Sequence, residues 1–153
     1  MANAFSKQYV HAIFAVKYRK STFSPEIKPT AFAIIAQQVK DTGCDSLIVN
    51  GVEDHVHCLF SIPPKFSTSE ILQKIKGNSS KDFNKLEMFD TPFRWQTGYG
   101  AFSQSYRELD MIYKYIENQE AHHRTESFPD EFLRLLTEQN IDFDPKYLFE
   151  SLQ

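Results

Sequence analysis

Two short stretches carry residue types that could do chemistry together. In His55-Val-His-Cys-Leu-Phe-Ser-Ile62, two imidazoles stand two residues apart. On a strand, alternation sends His55, His57, Leu59 and Ser61 to one face and Val56, Cys58, Phe60 and Ile62 to the other. The second set is apolar and belongs in a core, so the imidazoles project side by side from the opposite face, close enough to share one metal ion. A His-x-His pair on its own more often marks unrelated surface or core histidines. Asp54, next to the pair, suits either a turn or a carboxylate that orients His55. The second stretch holds Tyr115 and Gln119, four residues apart and on one stripe of a helix. A phenol and an amide placed so could offer a nucleophile and a metal-binding carbonyl oxygen, or they could be two solvated side chains. His122 and His123 follow, near a helix end where the dipole favours them. No general base is evident.

The elements that must position these residues are readable from patterning. Tyr9 to Val16 is a β-prone apolar run and predicts a buried strand. Ser24 as cap and Pro25 in the first turn predict a helix carrying Ile27, Ala31, Ile34, Ile35 and Gln38, with Gly43 ending it. Runs at 44–52 and 55–62, separated by Glu53-Asp54, predict a hairpin. Ser67 with Glu70 is a capping box that opens a helix to about Asn84, with Gly77 as a point of weakness. Phe93 to Ser103 predicts a strand with a bulge or a close backbone approach near Gly98 and Gly100.

A second capping box, Ser105 with Glu108, opens a helix to about Glu120, with Leu109, Ile112, Tyr113 and Ile116 as its core stripe. Ser127-Phe-Pro-Asp130 starts another, faced by Phe132, Leu133 and Leu136. Ile141, Phe143, Tyr147, Leu148 and Phe149 are expected to dock on a core or partner. The order β-α-β-β-α-β followed by helices predicts an α+β, ferredoxin-like antiparallel sheet with helices on one face, the other face left available, plus C-terminal helices.

A chain of 153 residues, 41% hydrophobic and 14% aromatic, suffices for one ordinary packed core, and no repeat or linker divides it, so residues 1–153 are expected to form a single domain. The absence of a run of eighteen apolar residues, or of a secretory leader, predicts a soluble cytoplasmic protein without membrane partners. Cys44 and Cys58 lack zinc spacing and are expected to be buried free thiols. A net charge of −3 argues against a protein that coats nucleic acid, yet basic residues collect at Lys17-Tyr-Arg-Lys20 and from Lys74 to Lys85. Lys17, Arg19, Lys74, Lys76 and Lys81 are the candidate phosphate contacts, and Tyr18, Trp95 or Tyr99 the candidate platforms for unpaired bases.

The segments KYRK, GVEDHVHCLF, KIKGNSSK, WQTGYGAFSQS and YIENQEAHH, in this order over nearly the whole chain, resemble the single-tyrosine, IS200-like transposases of the HUH endonuclease superfamily. The tail FPDEFLRLL with IDFDPKYLF is similar to members of that family as well. The resemblance implies the HUH endonuclease fold. It implies His55, His57 and Gln119 as ligands of a divalent cation and Tyr115 as nucleophile. It also implies a homodimer, often with the tyrosine helix of one subunit completing the other's site, and a substrate of single-stranded DNA bearing a hairpin. Phosphoryl chemistry in the family implies Mg²⁺ or Mn²⁺, although imidazole ligands alone favour zinc or other transition metals. Attack by Tyr115 would leave a 5′-phosphotyrosine whose reversal rejoins strands without ATP, so no nucleotide cofactor is expected. Three other readings share these residues: a domesticated binder of hairpins or repeats, a metal-stabilised module without catalysis, and a metal-dependent hydrolase that forms no adduct.

Overall fold

The structure, a computed structural model, describes residues 5–20 and 22–148. Strand β1 (Gln8–Ala15) and a 3-10 turn (Lys17–Arg19) lead to helix α1 (Lys28–Asp41), strands β2 (Asp45–Gly51) and β3 (His55–Ile62), helix α2 (Thr68–Lys85) and strand β4 (Gly100–Gln104). A 3-10 turn (Tyr106–Glu108) then opens α3 (Leu109–Glu117), α4 (Gln119–His122), α5 (Phe128–Glu138) and α6 (Pro145–Leu148). The strands pair antiparallel in the order β2-β3-β1-β4, with the histidine strand in the interior of the sheet. This is the split βαβ arrangement that the element order predicts.

The alternation of β3 is obeyed. Val56, Cys58, Phe60 and Ile62 enter the larger core with Phe32, Ile35 and Val39 of α1 and Ile71, Leu72, Ile75 and Phe83 of α2. His55 and His57 take the opposite face, where the register sets Ala15 beside His55 and Ile13 beside His57. That second face is not left free. Ile13, Ala15 and Phe102 are apolar, and α5 covers them with Phe128, Phe132, Leu135 and Leu136. Each such side chain contributes about 1.5–3 kcal/mol on burial, so α5 is held to the face that carries the histidines. Cys44 and Cys58 are buried free thiols.

Helix α1 begins at Lys28 rather than at Pro25. Pro29 has no N–H to give to the carbonyl of residue 25, so a helix started at Pro25 would lose that bond. Residues 25–27 instead form a turn closed on Ser24, whose carbonyl accepts from Ile27 and Lys28. The Ser67 cap is present, its side chain accepting from the Glu70 N–H, and α2 runs unbroken through Gly77. Of the segment expected as a strand, only the part from Gly100 onward joins the ladder, as β4; before it, Trp95 makes an isolated bridge to Val16. The close approach foreseen at Gly100 is real, since a Cβ there would stand 2.8 Å from Ile13 Cγ2.

The expected 105–120 helix breaks at Asn118, whose backbone (φ −96°, ψ 23°) leaves helical geometry. Asn50 of β2 donates from Nδ2 to the carbonyls of Ile116 and Glu117 at 3.0 and 3.1 Å, satisfying groups the helix end exposes. On α3 only Ile116 is buried, while Tyr113 remains 38% exposed, so the expected core stripe is incomplete. Ile141 and Phe143 do not dock on the core of this chain: they are 38% and 40% exposed. The side chains of Tyr147 and Leu148, and all of Phe149, lie outside the described residues.

Candidate active site and metal centre

His55 and His57 lie in the ladder of β3, both fully buried. Each ring is fixed through Nδ1. His55 Nδ1 meets Asp54 Oδ1 at 2.8 Å, and His57 Nδ1 meets His11 Nε2 at 2.8 Å. Asp54 therefore meets both readings of it, since it also sits in the β2–β3 turn, where its carbonyl accepts from the Val16 N–H. With a proton on each Nδ1, both Nε2 lone pairs face the same space.

The break at Asn118 turns Gln119 inward and leaves it fully buried, while Tyr115 on the last turn of α3 is half-buried. The Tyr115 ring lies 5.9 Å from that of His57 within one chain. All four residues that the resemblance assigns to the site thus converge. The side chain they share is one the sequence reading passed over, Glu131 of α5. Its Oε1 lies 3.3 Å from His55 Nε2, 3.3 Å from His57 Nε2 and 2.9 Å from His123 Nε2. Its Oε2 accepts from Gln119 Nε2 at 3.1 Å and from the Tyr115 hydroxyl. Arg134, one turn further along α5, donates to the Tyr115 oxygen at 2.9 Å and to Glu126 at 3.0 Å.

Charge in this cluster is distributed by burial and pairing. Burial opposes the ionised form of Glu131, but the hydrogen bond with His123 and the nearby His55 and His57 imidazoles outweigh it and hold the carboxyl far below the usual range. Burial pushes His57 down to about 4 and, with repulsion from His57, His11 down to about 3. For His55 burial acts downward too, yet the Asp54 and Glu131 carboxylates prevail and raise it. Burial and the Glu131 charge raise Tyr115 well above the ordinary tyrosine range, against Arg134, which lowers it.

The donor set suits a cation. His55 Nε2, His57 Nε2 and Gln119 Oε1 are buried without a hydrogen-bond partner, and an unpaired buried acceptor costs about 1–3 kcal/mol. Those are the three ligand atoms that the resemblance implies. His55, His57, His123 and Glu131 also offer ligand atoms that all lie within 4.8 Å of one another.

The basic and aromatic candidates fare unevenly. Tyr18 is 66% and Tyr99 39% exposed, and Lys74 and Lys81 are exposed on α2, across the sheet from the histidines. Lys17 lies over the Tyr18 ring at 5.3 Å. Lys76 does not reach out: its ammonium donates to the carbonyls of Gln96 and Gly98 at 2.8 and 2.6 Å, and burial lowers it to about 8. Trp95 is no platform either, since it packs among Phe14, Phe83 and Phe93 and donates to Ser79 Oγ at 3.0 Å. The side chain of Arg19 lies outside the described residues.

With this geometry in place, the relatives are informative. The pattern of the family described as Transposase IS200 like matches residues 4–119. The chain belongs to that family. Over 70 residues it is 34% identical to the transposase for insertion sequence element IS200 of Salmonella typhimurium, a match covering 46% of each chain, so it spans about half the length of that relative. Over 114 residues it is 25% identical to the ISDra2 transposase TnpA of Deinococcus radiodurans, covering 71% of this chain and 81% of that one. Among solved structures, a REP-associated tyrosine transposase bound to a REP hairpin shares the fold at a TM-score of 0.58 and 14% identity, over 79% of this chain and 72% of the other. The fold is the HUH fold of the IS200-like transposases. The family match holds His55, His57, Tyr115 and Gln119 and stops there; His123, Glu131 and Arg134 lie past its end.

These omissions have identifiable signals. Phe128, Glu131, Phe132 and Leu135 occupy one stripe of α5, so Glu131 is a carboxylate on a buried apolar face. His11 is likewise a polar ring among the apolar residues Val10 to Ala15 of β1.

Proposed function

We propose that this chain cleaves and rejoins single-stranded DNA at hairpin-marked element ends through a covalent 5′-phosphotyrosine on Tyr115, with a divalent cation held by His55, His57 and Gln119. The observation that carries this reading is the convergence of the Tyr115 hydroxyl with three buried, unpartnered ligand atoms in a chain of the IS200-like family. The hairpin as substrate draws support from the REP hairpin bound by a protein of the same fold.

The chemistry follows from the groups present. At pH 7 an ordinary phenol costs about 4 kcal/mol to ionise, and the buried, carboxylate-flanked Tyr115 costs more. Its proton is already directed at Glu131 Oε2, and Arg134 donates to the same phenolic oxygen, favouring negative charge there. As the Tyr115 oxygen bonds to phosphorus, its proton is lost to water, because the Glu131 carboxylate, held far below the usual range, does not keep it. The bond from phosphorus to the 3′ oxygen breaks, and that oxygen leaves with the electron pair and takes up a proton as a 3′-hydroxyl. Another 3′-hydroxyl attacking the phosphotyrosine restores a phosphodiester and frees Tyr115, so no nucleotide cofactor is consumed. When bound, Mg²⁺ or Mn²⁺ supplies neutralisation of the phosphate oxygens.

Tyr115 acts in cis in this reading, because it packs on His57 of its own chain. The homodimer stays part of the proposal on the strength of the resemblance, with light scattering as its measurement. Lys17, Arg19, Lys74 and Lys81 contact phosphate, Tyr18 and Tyr99 stack on unpaired bases, and the protein works in the cytoplasm, where its DNA lies. Among the described residues no helix is long and apolar enough to cross a membrane.

The deciding experiment incubates the protein with single-stranded DNA carrying candidate hairpin ends and Mg²⁺ or Mn²⁺, and looks for an SDS-resistant adduct. The proposal expects an adduct that is lost in Tyr115→Phe and on chelation. Metal-dependent cleavage without an adduct would identify a hydrolase, and tight hairpin binding without cleavage of a verified end would identify a regulator.

A further inference from the structure

We infer that α5 completes the metal centre, with Glu131 and His123 as direct ligands beside His55 and His57. This assignment rests on the metal-dependent reading above and extends it to two residues that lie beyond the family match.

A metal ion with bonds of about 2.0–2.2 Å sets neighbouring donors roughly 2.9–3.5 Å apart. Glu131 Oε1 stands 3.3, 3.3 and 2.9 Å from the Nε2 atoms of His55, His57 and His123. Two of those three nitrogens approach the carboxylate without forming a hydrogen bond, and both are fully buried. Lone pairs drawn together in this way around an anionic oxygen lack a cation.

The two oxygens of Glu131 divide their labour. Oε2 is engaged by Tyr115 and Gln119, which fixes the carboxylate plane and leaves Oε1 to the histidines. His55 and His57 in turn are oriented through Nδ1 by Asp54 and His11, the pattern of outer groups that sets ligand rings around a metal. Burial of a carboxylate among three imidazoles makes sense where a divalent charge sits between them. Three imidazoles and one carboxylate also bind more firmly than two imidazoles and an amide, and they bring the metal within one side chain of the nucleophile.

The test titrates chelator-treated protein with Mn²⁺, following free Mn²⁺ by electron paramagnetic resonance and heat by calorimetry. Wild type should bind one ion per chain, and Glu131→Gln should raise Kd at least 10-fold. His123→Ala should raise Kd by a similar factor, and it provides the answer should Glu131→Gln fail to melt cooperatively. A Kd within twofold of wild type in either folded variant, tighter binding, or no Mn²⁺ bound to wild type would overturn the assignment. The outcomes separate from those of the tyrosine reading. Weakened Mn²⁺ binding in a protein that forms no DNA adduct sinks only the tyrosine mechanism. A metal-dependent adduct with unaltered Kd in Glu131→Gln sinks only the ligand assignment.

Discussion

Removing one oxygen from Tyr115 separates its two roles. In Tyr115→Phe the Glu131 carboxylate loses a hydroxyl donor and Arg134 loses an acceptor. Hydrogen bonds to charged groups are worth about 1.5–3 kcal/mol each, but the two losses do not add. Glu131 Oε2 keeps Gln119 at 3.1 Å, and Arg134 keeps Glu126 at 3.0 Å and Glu138 at 3.2 Å. The net cost is about 2 kcal/mol, since the carboxylate bears the loss in a buried setting. For a chain of this size that lowers Tm by about 4–8 °C. Thermal unfolding followed by circular dichroism measures it, at a pH near 7 and without added metal. A Tm within about 1 °C of wild type would refute the claim that the phenol bridges Glu131 and Arg134 in solution. Tyr115→Phe and wild type should bind hairpin DNA alike, so a missing adduct reports chemistry and not affinity.

Two further outcomes follow from the same packing. The Arg134 guanidinium, against a weaker opposing effect of burial, holds Glu126 below the usual carboxylate range. The stability this contributes is present above the unfolded value of about 4.3 and is lost as pH falls through the lower folded value. Glu126→Gln should therefore cost about 1 kcal/mol or less at pH 7, with the Tm gap to wild type closing as pH drops below about 4; a gap that persists or widens in acid would contradict the ion pair. Gly100→Ala places a methyl 2.8 Å from Ile13 Cγ2 and 3.1 Å from both Phe102 Cζ and Phe132 Cε1. Overpacking of this kind costs about 1–3 kcal/mol, to be read in urea unfolding, and an unchanged midpoint would show that α5 is not seated on β4 as described.

The half of the site that was legible in the sequence is the half governed by local rules. Strand periodicity of two was enough to put His55 and His57 on one face, because Val56, Cys58, Phe60 and Ile62 leave the other face no alternative to the core. Caps at Ser67 and Ser127 announced α2 and α5, since a side-chain oxygen satisfying an exposed N–H is a matter of three residues. Family resemblance added the roles proposed for Tyr115 and Gln119. Local rules also erred in predictable places. Pro25 signalled a helix start that Pro29 moves on to Lys28, and the stripe of α3 was read as core although Tyr113 stays half-exposed.

What only the tertiary structure decided are the contacts between segments far apart in the chain. Glu131 reaches the histidines because apolar residues on both sides of it clamp α5 to Ile13, Ala15 and Phe102, and no spacing along the chain encodes that docking. The turn that buries Gln119 is held by Asn50, a side chain of β2 some 66 residues before the carbonyl it caps. Lys76 looked like a phosphate contact until the fold brought two backbone carbonyls to its ammonium. Composition and periodicity determine which face of an element is buried, because burial is averaged over many residues. Which polar groups meet across that face depends on single long-range contacts, and those form only once the sheet and the helix that covers it are in register.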